Sequence, residues 1–404
     1  MHRTRVPAAL AALAVSALAF AGCAGGGDAG TSPSETSNEP IKAVVFGALG
    51  AEGILANNAT TSVTAAKASV QAVNDAGGIL GREVELEVID DTGDPTVAVT
   101  KLRELMASDD KPDVVMNSGP STVAEAMLPI LTQNKVLSFN IGPTATSGDP
   151  KANPYNFDLS PSVPDYIGSF SAEMDDRGYD NVAILHGSSA YGELFGQLTA
   201  STFADDGFTV TGVQGYDNAS LDMTAQLEAL QETDPDVLVL DAYGAPLGYV
   251  LQGIEKLGWD VPIMGNTSVS ATGLISTEPP TGVLGTDQVE NLTMQVFRST
   301  KYDADDATVN DAVQLMTESG EIKSSLILAY NYDAMPLVKA AAEKAGSLEV
   351  EKVAEALLDS DVQDSAETAM LELYGFTKDS HTPHAKPSEF LFIAPGPLVN
   401  GQYQ

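Results

Sequence analysis

Short apolar runs alternate with longer stretches carrying apolar residues at helical spacing from Ile41 almost to the end of this chain, and no other feature constrains its fold as tightly. Parallel strands need a crossover long enough to hold a helix, so this rhythm predicts βαβ units around largely parallel sheets. Residues 41–49 read as the first strand. Val63, Ala66, Val70 and Val73 then share one helical face, which Gly77-Gly78 stops. Strands are expected over 82–89, 114–117 and 136–140, with helices over 96–106 and 122–132 between them. Pro150, Pro154, Pro161 and Pro164 interrupt regular structure over 148–164, where the chain is expected to cross into a second lobe.

The rhythm then restarts. Helices are expected over 165–177, 193–205 and 221–232, with strands over 182–186, 208–214 and 237–241. Leu247, Val250, Leu251, Ile254 and Leu257 trace a helical stripe that ends at Gly258. Beyond it we expect strands over 261–264, 289–297 and 390–393, a long apolar helix over 322–343 and a shorter one over 350–358. The reading is a hinged α/β protein with two similar lobes, each a mainly parallel sheet flanked by helices. Lobe 1 would comprise 41–157 and about 286–378; lobe 2 would comprise about 158–285 and about 388–404.

Two strand-to-turn units mark a candidate site. Val114 to Asn117 breaks into Ser118-Gly-Pro-Ser-Thr122, and Val136 to Asn140 breaks into a turn carrying Thr144, Thr146 and Ser147. In an open parallel sheet, ligands bind beyond the carboxyl ends of strands, where helix N-termini aim backbone N–H groups at a guest. Ser118, Gly119, Ser121, Thr122, Thr144 and Thr146 therefore form a candidate floor for a small polar ligand.

The N-terminus sets the compartment. Arg3 and Arg5 precede an apolar run over 6–21, too short for a comfortable membrane span but suited to a signal-peptide core. The small residues before Cys23 are similar to the lipobox of bacterial lipoproteins, which implies a signal peptide over 1–22, lipidation of Cys23 and an extracytoplasmic chain. Residues 23–40, rich in Gly, Ser, Thr, Pro and Glu, read as a flexible tether. Cys23 is the one cysteine, so no intramolecular disulfide can form. With 20 Lys+Arg against 56 Asp+Glu and a formal net charge of −36, the surface repels nucleic acid and anionic headgroups. An acyl anchor, not charge, would hold such a protein at a membrane.

Catalytic readings find little support. His186-Gly-Ser-Ser189 offers a histidine beside hydroxyls but no nucleophile elbow. His381-Thr-Pro-His384 beside Asp379 lacks a third strong metal ligand and is expected as a surface turn. Neither nucleotide-binding glycine motif occurs with its required spacing. We expect no enzyme activity, no metal and no cofactor.

Asn74-Asp-Ala-Gly-Gly-Ile-Leu-Gly-Arg82, Asp90-Asp-Thr-Gly-Asp-Pro95, Ala190-Tyr-Gly192, Tyr243 and Ala329-Tyr-Asn-Tyr-Asp333 resemble the leucine/isoleucine/valine-binding protein family, from about Ile41 to about Phe392. The resemblance implies the two-lobed type I periplasmic-binding fold, a small-molecule ligand enclosed between the lobes, and delivery by a monomer to an ABC permease with a separate ATPase. It implies that the ligand carboxylate is held by the 118–122 turn with Thr144 and Thr146, either Ser118 or Gly119 taking the key position. Tyr191 and Tyr243 would form an aromatic wall. Amino-acid-binding members carry an acid just after the Met-Gly turn, where this chain reads Met264-Gly-Asn-Thr267. Either another acid holds the ligand ammonium, with Asp241 the first candidate and Glu52 the second, or the ligand is not an α-amino acid and Thr267 marks the change. A ligand-sensing module for a signalling partner is the alternative role.

Overall fold

The computed structural model describes residues 39–404; the expected signal peptide, Cys23 and nearly all of the expected tether lie outside the described residues. The first lobe begins with β1 (Ile41–Gly47), α1 (Ile54–Asp75), β2 (Val84–Asp90), α2 (Pro95–Ala107), β3 (Val114–Asn117), α3 (Ser121–Asn134), β4 (Leu137–Asn140) and β5 (Asn156–Asp158). The second lobe follows with α4 (Val163–Arg177), β6 (Asn181–Gly187), α5 (Ala190–Asp205), β7 (Thr209–Tyr216), α6 (Thr224–Gln231), β8 (Val237–Leu240), α7 (Ala245–Leu257), β9 (Ile263–Gly265), α8 (Thr267–Ser270) and β10 (Leu292–Phe297). The chain returns to the first lobe for α9 (Ala307–Ser319), α10 (Asn331–Ala345), α11 (Val350–Ala356) and α12 (Ser360–Ser365). It ends in the second with β11 (Phe390–Ile393) and the small ribbon of β12 (Leu398–Val399) and β13 (Gln402–Tyr403).

The first sheet runs β2-β1-β3-β4-β5, all parallel, and the second runs β11-β10-β9-β8-β6-β7, parallel except where β11 pairs antiparallel with β10. Both faces of each sheet are covered, which is why the strands read as continuous apolar runs. In β1, Ile41, Ala43 and Val45 face the core shared with α1, α9 and α10, while Val44 and Phe46 face α2 and α3. The same two-residue period splits β6 and β8: Ala183, Leu185, Leu238 and Leu240 meet α6 and α7, whereas Val182, Ile184, Val237 and Val239 meet α4 and α5.

Three expectations are corrected. β5 is a strand inside the proline-marked break, held to β4 by backbone pairing and by Ser138 Oγ donating to Asn156 Oδ1 at 2.9 Å. Its Asn-Phe-Asp sequence has little intrinsic strand preference. β10 belongs to the second sheet, so the return to the first lobe falls after 297 and not at 286. The helix expected over 322–343 begins only at Asn331, because Thr61 Oγ1 accepts from the amides of Lys323 and Ser324, both at 2.9 Å, and holds that stretch in a turn.

The chain passes between the sheets around 159–162, 298–306 and 377–389. Each passage has an aromatic ring near it: Tyr166 lies 5.8 Å from Phe297 and 5.4 Å from Phe390, and those two are 5.0 Å apart. Phe297 also meets Tyr330 of the first lobe at 5.5 Å. This cluster ties the hinge to the residues that face the other lobe.

Candidate functional site

Strand order creates the site. In the first sheet β2 and β3 lie on opposite sides of β1, and in the second β7 and β8 flank β6. Successive connections there leave in opposite directions, opening a crevice at the carboxyl ends of the strands. The loops at these switch points carry Ser118 to Ser121 after β3, Gly187 to Tyr191 after β6, and Asp241 to Gly244 after β8.

The lobes touch there through a direct hydrogen bond, the Tyr191 amide donating to Ser121 Oγ at 3.0 Å. Ser118, Ser121, Thr144, Tyr191, Asp241 and Thr267 are buried, Gly119 with them; Thr122 and Tyr243 are partly exposed. α3 starts without a side-chain cap and without an acid in its first turn, so its leading N–H groups and positive dipole end remain available to an anion. Tyr243 packs against the core of the first lobe and lies toward Asn58 of α1; burial pushes its hydroxyl up to about 12.

Several buried polar atoms around this interface make no well-formed hydrogen bond: both side-chain atoms of Asn58, the hydroxyls of Tyr191, Tyr330 and Ser160, and Oδ1 of Asn331. Tyr330 and Ser160 lie toward Tyr166, Tyr191 toward Thr267 and Asn266, and Asn58 toward Tyr243. Buried polar groups are normally paired, and such a concentration marks where a guest would complete the set. Asn331 Nδ2 donates to Ser118 Oγ at 2.7 Å and to Ser62 Oγ at 3.2 Å, aligning the free Oδ1 beside the 118–122 turn. Tyr191 and Tyr166 meet edge to face at 6.3 Å. Asn58, Tyr166, Tyr330 and Asn331 were not among the candidates from sequence; Tyr330 and Asn331 sit in the Ala-Tyr-Asn-Tyr-Asp segment, the one signal that pointed near them.

Other candidates have different surroundings. The Thr146 side chain is exposed; its amide donates to Thr144 Oγ1 at 3.3 Å and its carbonyl accepts from Asn153, so it serves the turn through its backbone. Thr144 Oγ1 also accepts from the Ser147 amide at 3.1 Å. Glu52 is exposed. Asp241 is buried and both its oxygens are engaged: Oδ1 accepts from Asn266 Nδ2 at 2.8 Å and Oδ2 from the Gly187 amide at 3.2 Å. Burial raises its carboxyl above the ordinary range against those hydrogen bonds. Asn266, fully buried, caps α8 with the oxygen of the same amide, accepting from Ser268 at 3.0 Å. Gly192 is required here, since a Cβ would lie 2.4 Å from the Gly187 carbonyl oxygen and 2.7 Å from Asp241 Oδ2.

His186 and His381 are packing residues. His186 is buried over Gly196, where a Cβ would come within 2.2 Å of the ring. His381 is no surface residue: it stacks on Phe157 at 4.2 Å with Nδ1 3.0 Å from the Asn156 carbonyl, and only His384 of that turn is exposed. No group of three or more metal-ligating side chains occurs among the described residues.

Asp158 anchors the Thr144–Ser147 turn. It accepts from Ser147 Oγ at 2.8 Å, Thr382 Oγ1 at 3.0 Å and Asn140 Nδ2 at 3.2 Å. Burial pushes its carboxyl up to about 6 from 3.8, against the pull of these hydrogen bonds. The fold therefore holds this proton more tightly than the unfolded chain, and the associated stability is present below about 3.8 and lost as pH rises through about 6. Relative to Asp158→Asn, wild-type stability should fall by about 2 kcal/mol between pH 4 and 7, read from denaturant midpoints of the two proteins. A constant difference across that range would refute the assignment.

Two sheets whose switch-point loops meet around buried polar groups define the fold of a solute-binding protein. The family model described as periplasmic binding protein matches residues 41–386, and the chain belongs to that family. It is 25% identical over 295 residues to the leucine-, isoleucine-, valine-, threonine- and alanine-binding protein of Pseudomonas aeruginosa, covering 72% of this chain and 74% of that one. It is 26% identical over 325 residues to Leu/Ile/Val-binding protein homolog 3 of Brucella melitensis, covering 79% and 83%. A type 1 periplasmic binding protein from Bordetella pertussis superposes with a TM-score of 0.74 at 18% identity, covering 88% of this chain and 96% of that one. A solute-binding protein of an ABC transporter from R. palustris, solved with 4-hydroxybenzoate, gives 0.67 at 18% identity, covering 80% and 85%. The protein is thus a periplasmic solute-binding protein of the Leu/Ile/Val-binding type, which implies an extracytoplasmic location. No described helix is long and apolar enough to cross a membrane.

Proposed function

We propose that this chain captures a small carboxylate-bearing solute between its lobes and presents the closed form to an ABC permease, tethered by a lipid on Cys23. The observation that carries this reading is the set of orphaned buried polar atoms, drawn from both lobes, around the uncapped start of α3. A carboxylate there would take charge-assisted hydrogen bonds from backbone N–H groups and hydroxyls, with no basic side chain needed. Because Ser121 and Tyr191 sit on different lobes, the full set of contacts exists only when the lobes are closed. Ligand would therefore shift the population toward that state by its differential affinity. The named relatives are binding proteins for branched-chain amino acids, and the R. palustris neighbour holds an aromatic acid, so both ligand classes suit this fold.

Calorimetry with the mature chain and a panel of amino acids, hydroxy acids, keto acids and aromatic acids tests the reading. At least one acid should bind, and its methyl ester should bind at least tenfold more weakly; an ester as good as the acid, or no binding across the panel, would contradict it. Ser121→Ala should weaken the same ligand by about 1–3 kcal/mol, roughly 5- to 150-fold, by leaving the Tyr191 amide without its acceptor.

A further inference from the structure

No buried carboxylate beside the cleft is free to pair with a charged nitrogen, and Glu52, in the loop after β1, is exposed to solvent. Asp241, the acid on its wall, spends Oδ1 on Asn266 and Oδ2 on the Gly187 amide, and it lies beneath the Gly187–Gly192 turn, with Oδ2 2.7 Å from where a Cβ at Gly192 would stand. The next residues on that wall, Asn266 and Thr267, are neutral, and the Asn266 amide is consumed on both ends by Asp241 and Ser268. Other buried carboxylates are committed elsewhere: Asp158 to Ser147, Thr382, Asn140 and Asn156, and Asp333 to the 369–371 backbone. Asp91 accepts from the Gly93 amide at 2.8 Å with Oδ1; its Oδ2 makes no hydrogen bond, but it follows the edge strand β2, with β1 between it and the turn after β3.

The unpaired groups that do face the lobe interface are neutral. The Tyr191 and Tyr330 hydroxyls and the Asn58 carboxamide can each donate and accept. They match a hydroxyl, keto or carboxamide function, whereas an ammonium among them would be a desolvated charge with no counter-ion. Tyr166, Phe297 and Phe390 line the hinge behind them with aromatic surface.

We infer that the solute is an organic acid whose second polar group is neutral, a hydroxy, keto or hydroxyaryl acid, and not an α-amino acid. This rests on the carboxylate reading above and narrows it. Calorimetry on the mature chain with matched sets separates the two: leucine, 2-hydroxy-4-methylpentanoate and 4-methyl-2-oxopentanoate; phenylalanine, 3-phenyllactate and phenylpyruvate; and 4-hydroxybenzoate. The expected result is a hydroxy, keto or hydroxyaryl acid binding at least 100-fold more tightly than any amino acid in the panel. An amino acid that binds as tightly as its hydroxy or keto counterpart overturns the inference while leaving the carboxylate reading standing. If no acid of any set binds, the carboxylate reading falls and takes the inference with it.

Discussion

Replacing Asp333 with alanine should cost about 3–5 kcal/mol of stability, the largest loss we expect from a single side chain outside the apolar core. Asp333 is fully buried at the start of α10. It accepts from the amides of Ala369 at 2.7 Å, Met370 at 3.0 Å and Leu371 at 3.1 Å, and from Tyr374 Oη at 2.7 Å. Alanine would leave all four donors buried without an acceptor and release the 369–374 loop from α10. Urea unfolding gives the number directly. A loss below 1 kcal/mol would mean that the 369–374 backbone finds other acceptors and that the carboxylate does not hold it.

Exchanging both Tyr191 and Tyr330 for phenylalanine should have opposite effects on the free protein and on binding. Each hydroxyl is buried without a well-formed hydrogen bond, so its removal should leave the free protein as stable or up to about 2 kcal/mol more stable. The ligand would lose two buried contacts, together about 2–4 kcal/mol, or roughly 30- to 1000-fold in affinity. Melting curves with and without ligand read both effects in one experiment. A double variant that is destabilised when free, with affinity unchanged, would show that these hydroxyls serve the fold and not the guest.

Much of the architecture is legible from local patterns because both sheets are buried on both faces. Val237–Leu240 and Val114–Asn117 are short, nearly uninterrupted apolar runs, and Leu247 to Leu257 keeps a strict helical stripe. The errors fall where distant contacts overrule local preference. Asn156–Asp158 becomes a strand only beside β4, and the 322–330 stretch stays out of α10 because Thr61 takes its amides from more than 260 residues away. The site divides in the same way. Ser118, Ser121 and Tyr191 stand in the turns and helix starts that directly follow strands, where function can be read from position. Asn58 and Asn331 lie on helices and Tyr330 just before one, and the Asn331–Ser118 bond spans 213 residues. Which way the first turn of α10 points depends on packing against α1, which no local pattern encodes. Thr146 shows the converse, since a hydroxyl in the right turn can still face solvent.

The central claim, that the lobes close around a small acid, is tested most directly by measuring the distance between them. Spin labels on cysteines introduced at the exposed Glu104 of α2 and Glu228 of α6, in a Cys23→Ser background, place one probe on each lobe. Double electron–electron resonance on the mature chain should give a broad distance distribution without ligand and a single, narrower one at saturation with the acid that calorimetry identifies, and Ser121→Ala should need more ligand to reach it. A distribution that ligand leaves unchanged, at concentrations where calorimetry shows the site full, would contradict closure and the mechanism built on it.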